Sequence, residues 1–297
     1  MFGGIESGGT KFVCMIATDV GEVVDEVAFP TRDPDGTIRQ AIEYFRTYID
    51  GGGHLTALGI ASFGPLELRV DDPWYGHIVT TPKAGWSDTD MVGPFRDAFG
   101  IPVGFDTDVN GAALAEGAWG AAQGLDSFVY ITIGTGIGGG AVVDGRPLHG
   151  LVHPEMGHLA LPRVAGDTFP GVCPFHNDCF EGMASGPAIS ARWGTRGEDM
   201  SPEELTRATA LEASYIALGV RNIAYTLAPQ RVIIGGGVAG LPGLFPAINA
   251  RLALTLAQYP GLNEHTSGDF VVPAGLGHRA GPLGAIALAD RAARRAL

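Results

Sequence analysis

The fold of this chain is decided by the stretch Gly3-Gly-Ile-Glu-Ser-Gly-Gly-Thr-Lys-Phe-Val-Cys-Met-Ile-Ala17, in which apolar residues flank a glycine-rich centre. Apolar runs interrupted by small turn residues predict a strand, a tight turn and a returning strand. The second half of the chain repeats this pattern in Phe128-Val-Tyr-Ile-Thr-Ile-Gly-Thr-Gly-Ile-Gly-Gly-Gly-Ala-Val-Val143, after which Asp144-Gly145 predicts a further hairpin turn. The repeat predicts an α/β protein with two domains, each of which opens with the same hairpin.

Apolar periodicity predicts the elements between and after the two hairpins. Strands are predicted at 23–29, 55–62, 101–105 and 231–234. Helices are predicted at 38–50, 109–122, 202–227 and 280–297, the third of them opened by the capping box Ser201-Pro-Glu-Glu204. We expect a first domain at 1–115, onto which the C-terminal helix packs back, and a second domain at 116–279.

The composition excludes several classes of protein. The formal net charge of -13 opposes nonspecific binding to nucleic acid, which needs a basic surface. No apolar run approaches the ~20 residues that span a bilayer, and the N-terminus lacks the basic and then apolar pattern of a secretory signal. The three cysteines do not form a disulfide framework. We therefore expect a cytoplasmic protein without nucleic-acid or membrane partners.

Three glycine clusters are candidates for holding one nucleotide: Gly8-Gly9-Thr10-Lys11, Gly134-Thr135-Gly136 and Gly235-Gly236-Gly237. Exposed backbone N–H groups in such turns bind phosphate oxygens. Two alternatives stay open, namely that the glycines serve only tight turns, or that they belong to dinucleotide fingerprints of the form G-x-G-x-x-G. The fingerprint is disfavoured because it must open a helix early in a Rossmann domain. The second cluster instead opens a strand, and the third lies near the C-terminus.

Asp108 is the candidate general base. It stands in Phe105-Asp-Thr-Asp108-Val-Asn110, where a predicted strand gives way to a predicted helix. The carboxyl ends of strands face the ligand crevice in open α/β sheets, and phosphoryl transfer to a hydroxyl needs a carboxylate that accepts the proton. The alternative is that an aspartate here caps the helix, and Asp106 is as good a candidate as Asp108 for either role.

The segment Cys173-Pro-Phe-His176-Asn-Asp-Cys179, together with His158 upstream, supplies four nitrogen and sulfur donors. These donors match the preference of zinc, and four of them predict a closed structural site. The alternative is a pair of buried free thiols with incidental histidines. A zinc site would hold the loop 155–181 in one conformation and fix its carboxylates Glu155 and Glu181. These carboxylates suit sugar hydroxyls because each can accept hydrogen bonds from more than one donor.

With these residues assembled, the chain resembles the ROK family of sugar kinases and repressors, and within it the fructokinase branch. The resemblance runs over essentially the whole length. Its carriers are Gly4-Ile-Glu-Ser-Gly-Gly-Thr-Lys11, Thr107-Asp-Val-Asn-Gly-Ala-Ala-Leu114, Gly134-Thr-Gly-Ile-Gly-Gly139, Glu155-Met-Gly-His158, Cys173-Pro-Phe-His-Asn-Asp-Cys-Phe-Glu181 and Ile234-Gly-Gly-Gly-Val238.

The resemblance implies an actin/hexokinase-like (ribonuclease H-like) ATPase fold, with two domains around a cleft, and a homodimer. It also implies the roles of individual residues. Asp108 is the general base, and the sugar contacts are Glu155, His158 and Glu181, with Asn110, Gly64 and Pro65 as weaker candidates. The zinc ligands are His158, Cys173, His176 and Cys179. The nucleotide contacts are Gly8, Gly9, Thr10, Lys11, Gly134, Thr135, Gly136, Pro187, Gly235, Gly236 and Gly237.

The implied activity is transfer of phosphate from ATP, bound with Mg²⁺, to the C6 hydroxyl of a hexose. Fructose is preferred because Thr81-Pro-Lys-Ala-Gly-Trp86 and the zinc segment resemble the fructokinase branch; glucose, mannose and N-acetylmannosamine are the alternatives. A sugar-sensing regulator is disfavoured because the first hairpin leaves no room for a helix-turn-helix domain before it. Two positions depart from many members of the family: His176 replaces a cysteine, and Glu6 replaces an aspartate whose contact with Mg²⁺ is therefore in question.

Overall fold

The computed structural model describes residues 1–19 and 21–296. The strands are β1 (Phe2–Ser7), β2 (Lys11–Ala17), β3 (Val23–Pro30), β4 (Ala57–Ser62), β5 (His77–Ile78), β6 (Thr89–Asp90), β7 (Val103–Thr107), β8 (Phe128–Ile133), β9 (Ile137–Val143), β10 (Arg146–Pro147), β11 (Arg231–Gly235) and β12 (Val271–Pro273). The α-helices are α1 (Pro34–Asp50), α2 (Gly93–Phe99), α3 (Asp108–Trp119), α4 (Phe180–Ala184), α5 (Gly186–Trp193), α6 (Pro202–Leu227), α7 (Leu244–Leu256) and α8 (Ala280–Arg295).

The chain forms two compact units. Unit 1 comprises Met1–Gln123, Pro147–Pro154 and Arg279–Leu297, and unit 2 comprises Gly124–Arg146 and Glu155–His278. Helix α8 therefore belongs to the N-terminal unit, where it packs on β1, β4 and α3. Three separate segments of the chain therefore form unit 1.

The sheet of unit 1 has the strand order β3-β2-β1-β4-β7. The hairpin strands β1 and β2 pair antiparallel, with Ile5 opposite Cys14, whereas β1 and β4 pair parallel, with Ile5 opposite Ile60. Strand β7 then pairs parallel with β4. The carboxyl ends of β1, β4 and β7 consequently lie along one edge of the sheet, and Asp108 directly follows β7.

The sheet of unit 2 repeats this topology with the order β10-β9-β8-β11-β12. Strands β8 and β9 form the antiparallel hairpin, and β11 and β12 continue the sheet in parallel. Asp144 and Gly145 both have positive φ angles, of 50° and 71°, as a two-residue hairpin turn between β9 and β10 requires. The repeated hairpin therefore marks a repeated unit, as predicted.

Helix α8 approaches the sheet of unit 1 more closely than a side chain would allow. A Cβ atom on Gly59 of β4 would lie 1.9 Å from the carbonyl oxygen of Ala285 in α8. A Cβ atom on Gly284 would lie 2.3 Å from the backbone of Gly111 in α3. These two glycines let α8 pack backbone to backbone against a strand and a helix, which explains why small residues are needed there.

Most predicted elements are present, with shifted ends. The capping box at Ser201 and Glu204 is formed and opens α6. Helix α3 begins at Asp108, and α8 ends at Arg295, while the predicted end at residue 297 lies outside the described residues. Helices α2 and α4 lie outside the predicted elements because segments of 7 and 5 residues are too short for a helical period to appear.

Within the described parts of the chain, no helix combines the length and the apolar character that crossing a membrane would require.

Candidate functional site

Asp108 is the first residue of α3 and is half-buried. The helix cap is Thr107, whose Oγ1 accepts a hydrogen bond from the Asn110 N–H at 3.1 Å. Neither aspartate of the segment is therefore the cap, and the capping alternative considered for Asp106 and Asp108 is wrong. The Asp108 carboxylate accepts a hydrogen bond from the Val109 N–H at 2.9 Å. It thus stands at the N-terminus of a helix, where backbone N–H groups favour its ionised form.

Asp106, two residues earlier, is buried in a network that the sequence did not predict. Its Oδ1 accepts hydrogen bonds from the Thr107 N–H at 2.8 Å and from Asn110 Nδ2 at 2.7 Å. Its Oδ2 lies 2.9 Å from His149 Nε2. The hydrogen bond to Asp106 raises the pKa of His149, against the opposing effect of partial burial. No sequence signal points to His149, which follows 43 residues later in an irregular segment.

Glu6, on β1, is mostly buried in the same unit. Burial, and then the negative charge of Asp108, raise its pKa to about 7, while Lys11 opposes the shift. A Cβ atom on Gly281, at the start of α8, would lie 2.1 Å from Glu6 Oε1, so this carboxylate packs directly against the helix backbone. Two neighbouring carboxylates offer the oxygen ligands that Mg²⁺ prefers.

The predicted phosphate turn of unit 1 connects β1 to β2. The Gly8 N–H donates to the Lys11 carbonyl at 3.0 Å, and Thr31 Oγ1 donates to the Gly8 carbonyl at 2.6 Å. Thr10 and Lys11 are exposed at its tip, and a Cβ atom on Gly9 would meet nothing within 4 Å. The turn is therefore held at its base and open at its tip.

The predicted Gly64-Pro65 turn follows β4 in the same unit. It contains a cis peptide bond, and the Gly64 carbonyl accepts a hydrogen bond from Thr81 Oγ1 at 3.2 Å. The next amide, that of Leu66, donates to His153 Nε2 at 3.1 Å. The turn is thus fixed by two segments that are distant in sequence.

The four predicted metal ligands converge in unit 2. One donor atom from each of His158, Cys173, His176 and Cys179 lies within 4.8 Å of the others. His158 Nδ1 is 3.8 Å from Cys173 Sγ and 3.5 Å from Cys179 Sγ. Bonds of about 2.3 Å to sulfur and about 2.1 Å to nitrogen, at tetrahedral angles, put these two kinds of atom about 3.6 Å apart. The geometry and chemistry of the donors therefore fit a zinc ion.

Close backbone packing holds this cluster in place. Cys173 and Asn177 exchange backbone hydrogen bonds of 3.2 and 3.0 Å, which closes the loop between the two cysteines. A Cβ atom on Gly157, next to His158, would lie 1.9 Å from the Ile137 carbonyl of β9. The backbone beside His158, one of the four candidate ligands, therefore packs directly against strand β9 of the unit 2 hairpin. Since His158 directs Nδ1 at the cluster, Nε2 is the nitrogen through which it would meet a sugar.

The two carboxylates of the loop have different surroundings. Glu155 is exposed and precedes the short 3₁₀ helix Met156–His158. Glu181 is half-buried at the start of α4, and its Oε2 accepts a hydrogen bond from the Ile137 N–H at 2.9 Å. Glu181 therefore links the loop 155–181 to the start of β9, directly after the Gly134-Thr135-Gly136 turn, a contact that sequence reasoning did not anticipate.

A cavity of about 900 Å³ in unit 2 brings together part of the predicted nucleotide set. Among its lining residues are Gly134, Thr135, Pro187 and Gly237. Gly136, Gly235 and Gly236 are not in the lining. Its remaining walls are mainly apolar, with Ile189, Met200, Leu205, Val238 and Leu241 among them. An apolar cavity bordered by glycine-rich turns suits a base and its attached phosphates.

Comparison with known proteins accounts for this arrangement. A sequence model described as the ROK family matches residues 2–292. The fructokinase of Zymomonas mobilis subsp. mobilis is 42% identical over 297 residues, which cover 97% of this chain and 96% of that protein. The fructokinase of Pediococcus pentosaceus is 39% identical over 299 residues and 100% of both chains.

A solved structure, the ROK hexokinase from Thermus thermophilus, resembles the whole chain. It has a TM-score of 0.80 at 28% identity, with 99% of each chain covered. This similarity confirms the predicted actin/hexokinase-like α/β fold. Because the family model and these relatives match nearly every residue, the chain belongs to the ROK family.

Proposed function

We propose that the protein transfers the γ-phosphate of ATP to the C6 hydroxyl of D-fructose and forms fructose 6-phosphate. The observation that carries this proposal is identity of 42% and 39% to two fructokinases over 96% and 100% of their lengths. The site residues support it, since a half-buried aspartate at a strand-to-helix turn and an apolar cavity beside glycine-rich turns are what phosphoryl transfer from ATP requires.

The nucleotide is assigned to the cavity of unit 2. Its base would contact the apolar walls, and its phosphates would meet the backbone N–H groups of the Gly134-Thr135-Gly136 turn. The turn Gly8-Gly9-Thr10-Lys11 of unit 1 is proposed as a further phosphate-binding turn, and its exposed Lys11 adds a positive charge. Of the cluster Gly235-Gly236-Gly237, Gly237 lines the cavity and would border the adenosine.

Asp108 acts as the general base. As the C6 oxygen of the sugar attacks the γ-phosphorus, its proton passes to the Asp108 carboxylate. The new oxygen–phosphorus bond forms while the bond between the γ-phosphorus and the bridging oxygen breaks, and ADP leaves with that oxygen. Asp108 is suited to this role because it is half-buried at the carboxyl end of β7, where α3 begins.

Magnesium enters with ATP and neutralises charge on the phosphates. Glu6 is the residue of unit 1 best suited to meet it, because its carboxylate lies near the negative charge of Asp108 and gains from a nearby cation.

We also propose that the four-donor cluster holds a structural zinc ion. It would brace the loop 155–181, which carries the sugar contacts proposed for Glu155, His158 and Glu181. Asn110 is a further sugar contact, because its Oδ1 is buried and has no hydrogen-bond partner among the described residues. A homodimer in the cytoplasm stays a prediction that rests on the family resemblance and on cysteine usage.

A coupled assay of ADP formation tests the sugar specificity. We expect kcat/KM for fructose to exceed the values for mannose, glucose and N-acetylmannosamine. A tenfold or greater preference for glucose over fructose would overturn the assignment of fructose and leave a hexokinase of different specificity. Absence of ADP formation with all four sugars would overturn the kinase proposal itself.

A further inference from the structure

His149 is a titratable residue that the proposed mechanism does not use, and it is bound to a buried carboxylate. Its Nε2 lies 2.9 Å from Oδ2 and 3.1 Å from Oδ1 of Asp106. The Asp106 side chain is 4% exposed, whereas that of His149 is 38% exposed. An ionised carboxylate only accepts hydrogen bonds. Nε2 therefore carries a proton, and the Nε2–H group donates a hydrogen bond to Asp106.

Asp106 in turn holds the residues on both sides of Asp108. Its Oδ1 accepts from the Thr107 N–H and from the Asn110 side chain, at 2.8 and 2.7 Å. These two donors bracket Asp108 in sequence and belong to the turn that starts α3. The orientation of this turn therefore depends on where the Asp106 carboxylate sits.

His149 is the group that compensates the buried charge of Asp106. A buried carboxylate is costly unless it is paired and hydrogen-bonded, and a charge-assisted bond is stronger than a neutral one. The hydrogen bond to Asp106 raises the pKa of His149, while partial burial and the positive charges of Arg295 and Arg291 on α8 lower it. Glu67, Arg69 and Asp71 line the same hollow of about 380 Å³ as His149.

We propose that His149 is a positioning residue for Asp108: it holds Asp106, and Asp106 holds the turn that carries the general base. This inference rests on the proposed function of Asp108. It assigns a role in turnover to a residue that lies outside the glycine turns and the metal loop. It also gives the two aspartates different roles: Asp108 is the general base, and Asp106 holds the turn that carries it.

Steady-state kinetics of three variants test this role. His149→Ala removes the donor, so we expect kcat to fall at least about tenfold, because a displacement of 1 Å can cost about a hundredfold. KM for ATP should stay within about twofold of the parent value. His149→Gln retains a donor at the position of Nε2 and should restore kcat to within a few-fold. His54→Ala, which changes another exposed histidine of unit 1, is the matched control and should leave kcat unchanged.

A double-mutant cycle tests whether His149 acts through Asp106. In an Asp106→Ala background, His149→Ala should cause no further loss of kcat, because coupled residues are not additive. Thermal unfolding establishes that each variant is folded. If Asp106→Ala does not fold, the comparison of the alanine and glutamine variants at position 149 decides the question.

Three outcomes would overturn the inference: an unchanged kcat in His149→Ala, a raised KM with unchanged kcat, or a glutamine variant as slow as the alanine variant. Each requires a parent protein that phosphorylates a hexose. An inactive parent contradicts the proposed function instead. In that case an NMR titration still tests the pairing of His149 with Asp106. We expect Asp106→Ala to lower the pKa of His149, and an unchanged pKa would contradict the pairing.

Discussion

At the scale of single residues, the chemistry depends on how three acids of unit 1 are surrounded. Asp108 is half-buried at a helix start, Asp106 is buried with His149, and Glu6 is held near Asp108 with its pKa raised to about 7. Residue type alone did not distinguish Asp106 from Asp108. Their hydrogen-bond partners do, because Asp106 is already engaged by three donors.

Replacing Asp108 by Asn should abolish turnover while ATP binding stays largely intact. The amide cannot accept the hydroxyl proton, and general base catalysis contributes about 10²- to 10⁴-fold. Steady-state kinetics and nucleotide titration measure the two effects. Asp35→Asn is the matched control, since Asp35 also lies in the first turn of a helix in unit 1 but is exposed. Activity of Asp108→Asn within a few-fold of the parent would show that another group accepts the proton.

Glu6 should make stability depend on pH. Its pKa is about 7 in the folded chain and 4.5 by itself, so the stability it contributes below pH 4.5 is lost as pH rises through 7. At about 1.4 kcal/mol per pH unit, the loss is about 3 kcal/mol. Without nucleotide or Mg²⁺, we expect the parent Tm to fall from pH 5 to pH 8 more than that of Glu6→Gln. Glu43→Gln, an exposed change on α1, should follow the parent, and equal pH profiles for Glu6→Gln and the parent would contradict the shift.

At the scale of elements, local sequence patterns predicted what depends on near neighbours. Both hairpins, the capped helix α6 and the ligand spacing around Cys173 and Cys179 belong to this class. The contacts that were missed join distant segments. His149 binds Asp106 across 43 residues, and the Glu181 carboxylate binds the Ile137 amide across 44. Such contacts depend on how distant segments come together in the fold, so local sequence patterns do not predict them.

The metal loop should lose its metal when one ligand is removed. We expect about one zinc ion per chain in the parent and little in Cys173→Ser, because a closed site needs all four donors. Elemental analysis of the purified proteins measures this directly. Cys14→Ser is the matched control, since Cys14 is buried in β2 away from the cluster and its change should leave the metal content unchanged. A chelator should lower Tm and fructose phosphorylation, and added Zn²⁺ should restore both. Full zinc content in Cys173→Ser would contradict the ligand assignment.

The close packing of α8 on β4 should tolerate no side chain at Gly59. A Cβ atom there would lie 1.9 Å from the Ala285 carbonyl, so Gly59→Ala must displace the helix or the strand. We expect a loss of about 1–3 kcal/mol or more in the free energy of unfolding, measured by urea denaturation. Gly268→Ala is the control because its Cβ would meet nothing within 4 Å. Equal stability of the two variants would contradict the packing.

At the scale of the whole molecule, one topology appears twice, and the second copy carries the four-donor cluster of His158, Cys173, His176 and Cys179. The strand orders β3-β2-β1-β4-β7 and β10-β9-β8-β11-β12 correspond strand for strand. The fold was therefore predictable from the repeated hairpin. Nothing in that repeat identifies the sugar, since a family fold supports several substrates. The assignment of fructose depends on similarity to fructokinases along the whole chain.

Transfer of phosphate from ATP to the C6 oxygen of fructose fixes the identity of both products. The most direct measurement is NMR of the products formed from ATP, Mg²⁺ and fructose, with ³¹P–¹H correlation to locate the phosphate. We expect fructose 6-phosphate and ADP in equal amounts with the parent, and neither product with Asp108→Asn. Phosphate on another hydroxyl would contradict attack by the C6 oxygen, and ADP with free phosphate and unmodified fructose would contradict phosphorylation of the sugar.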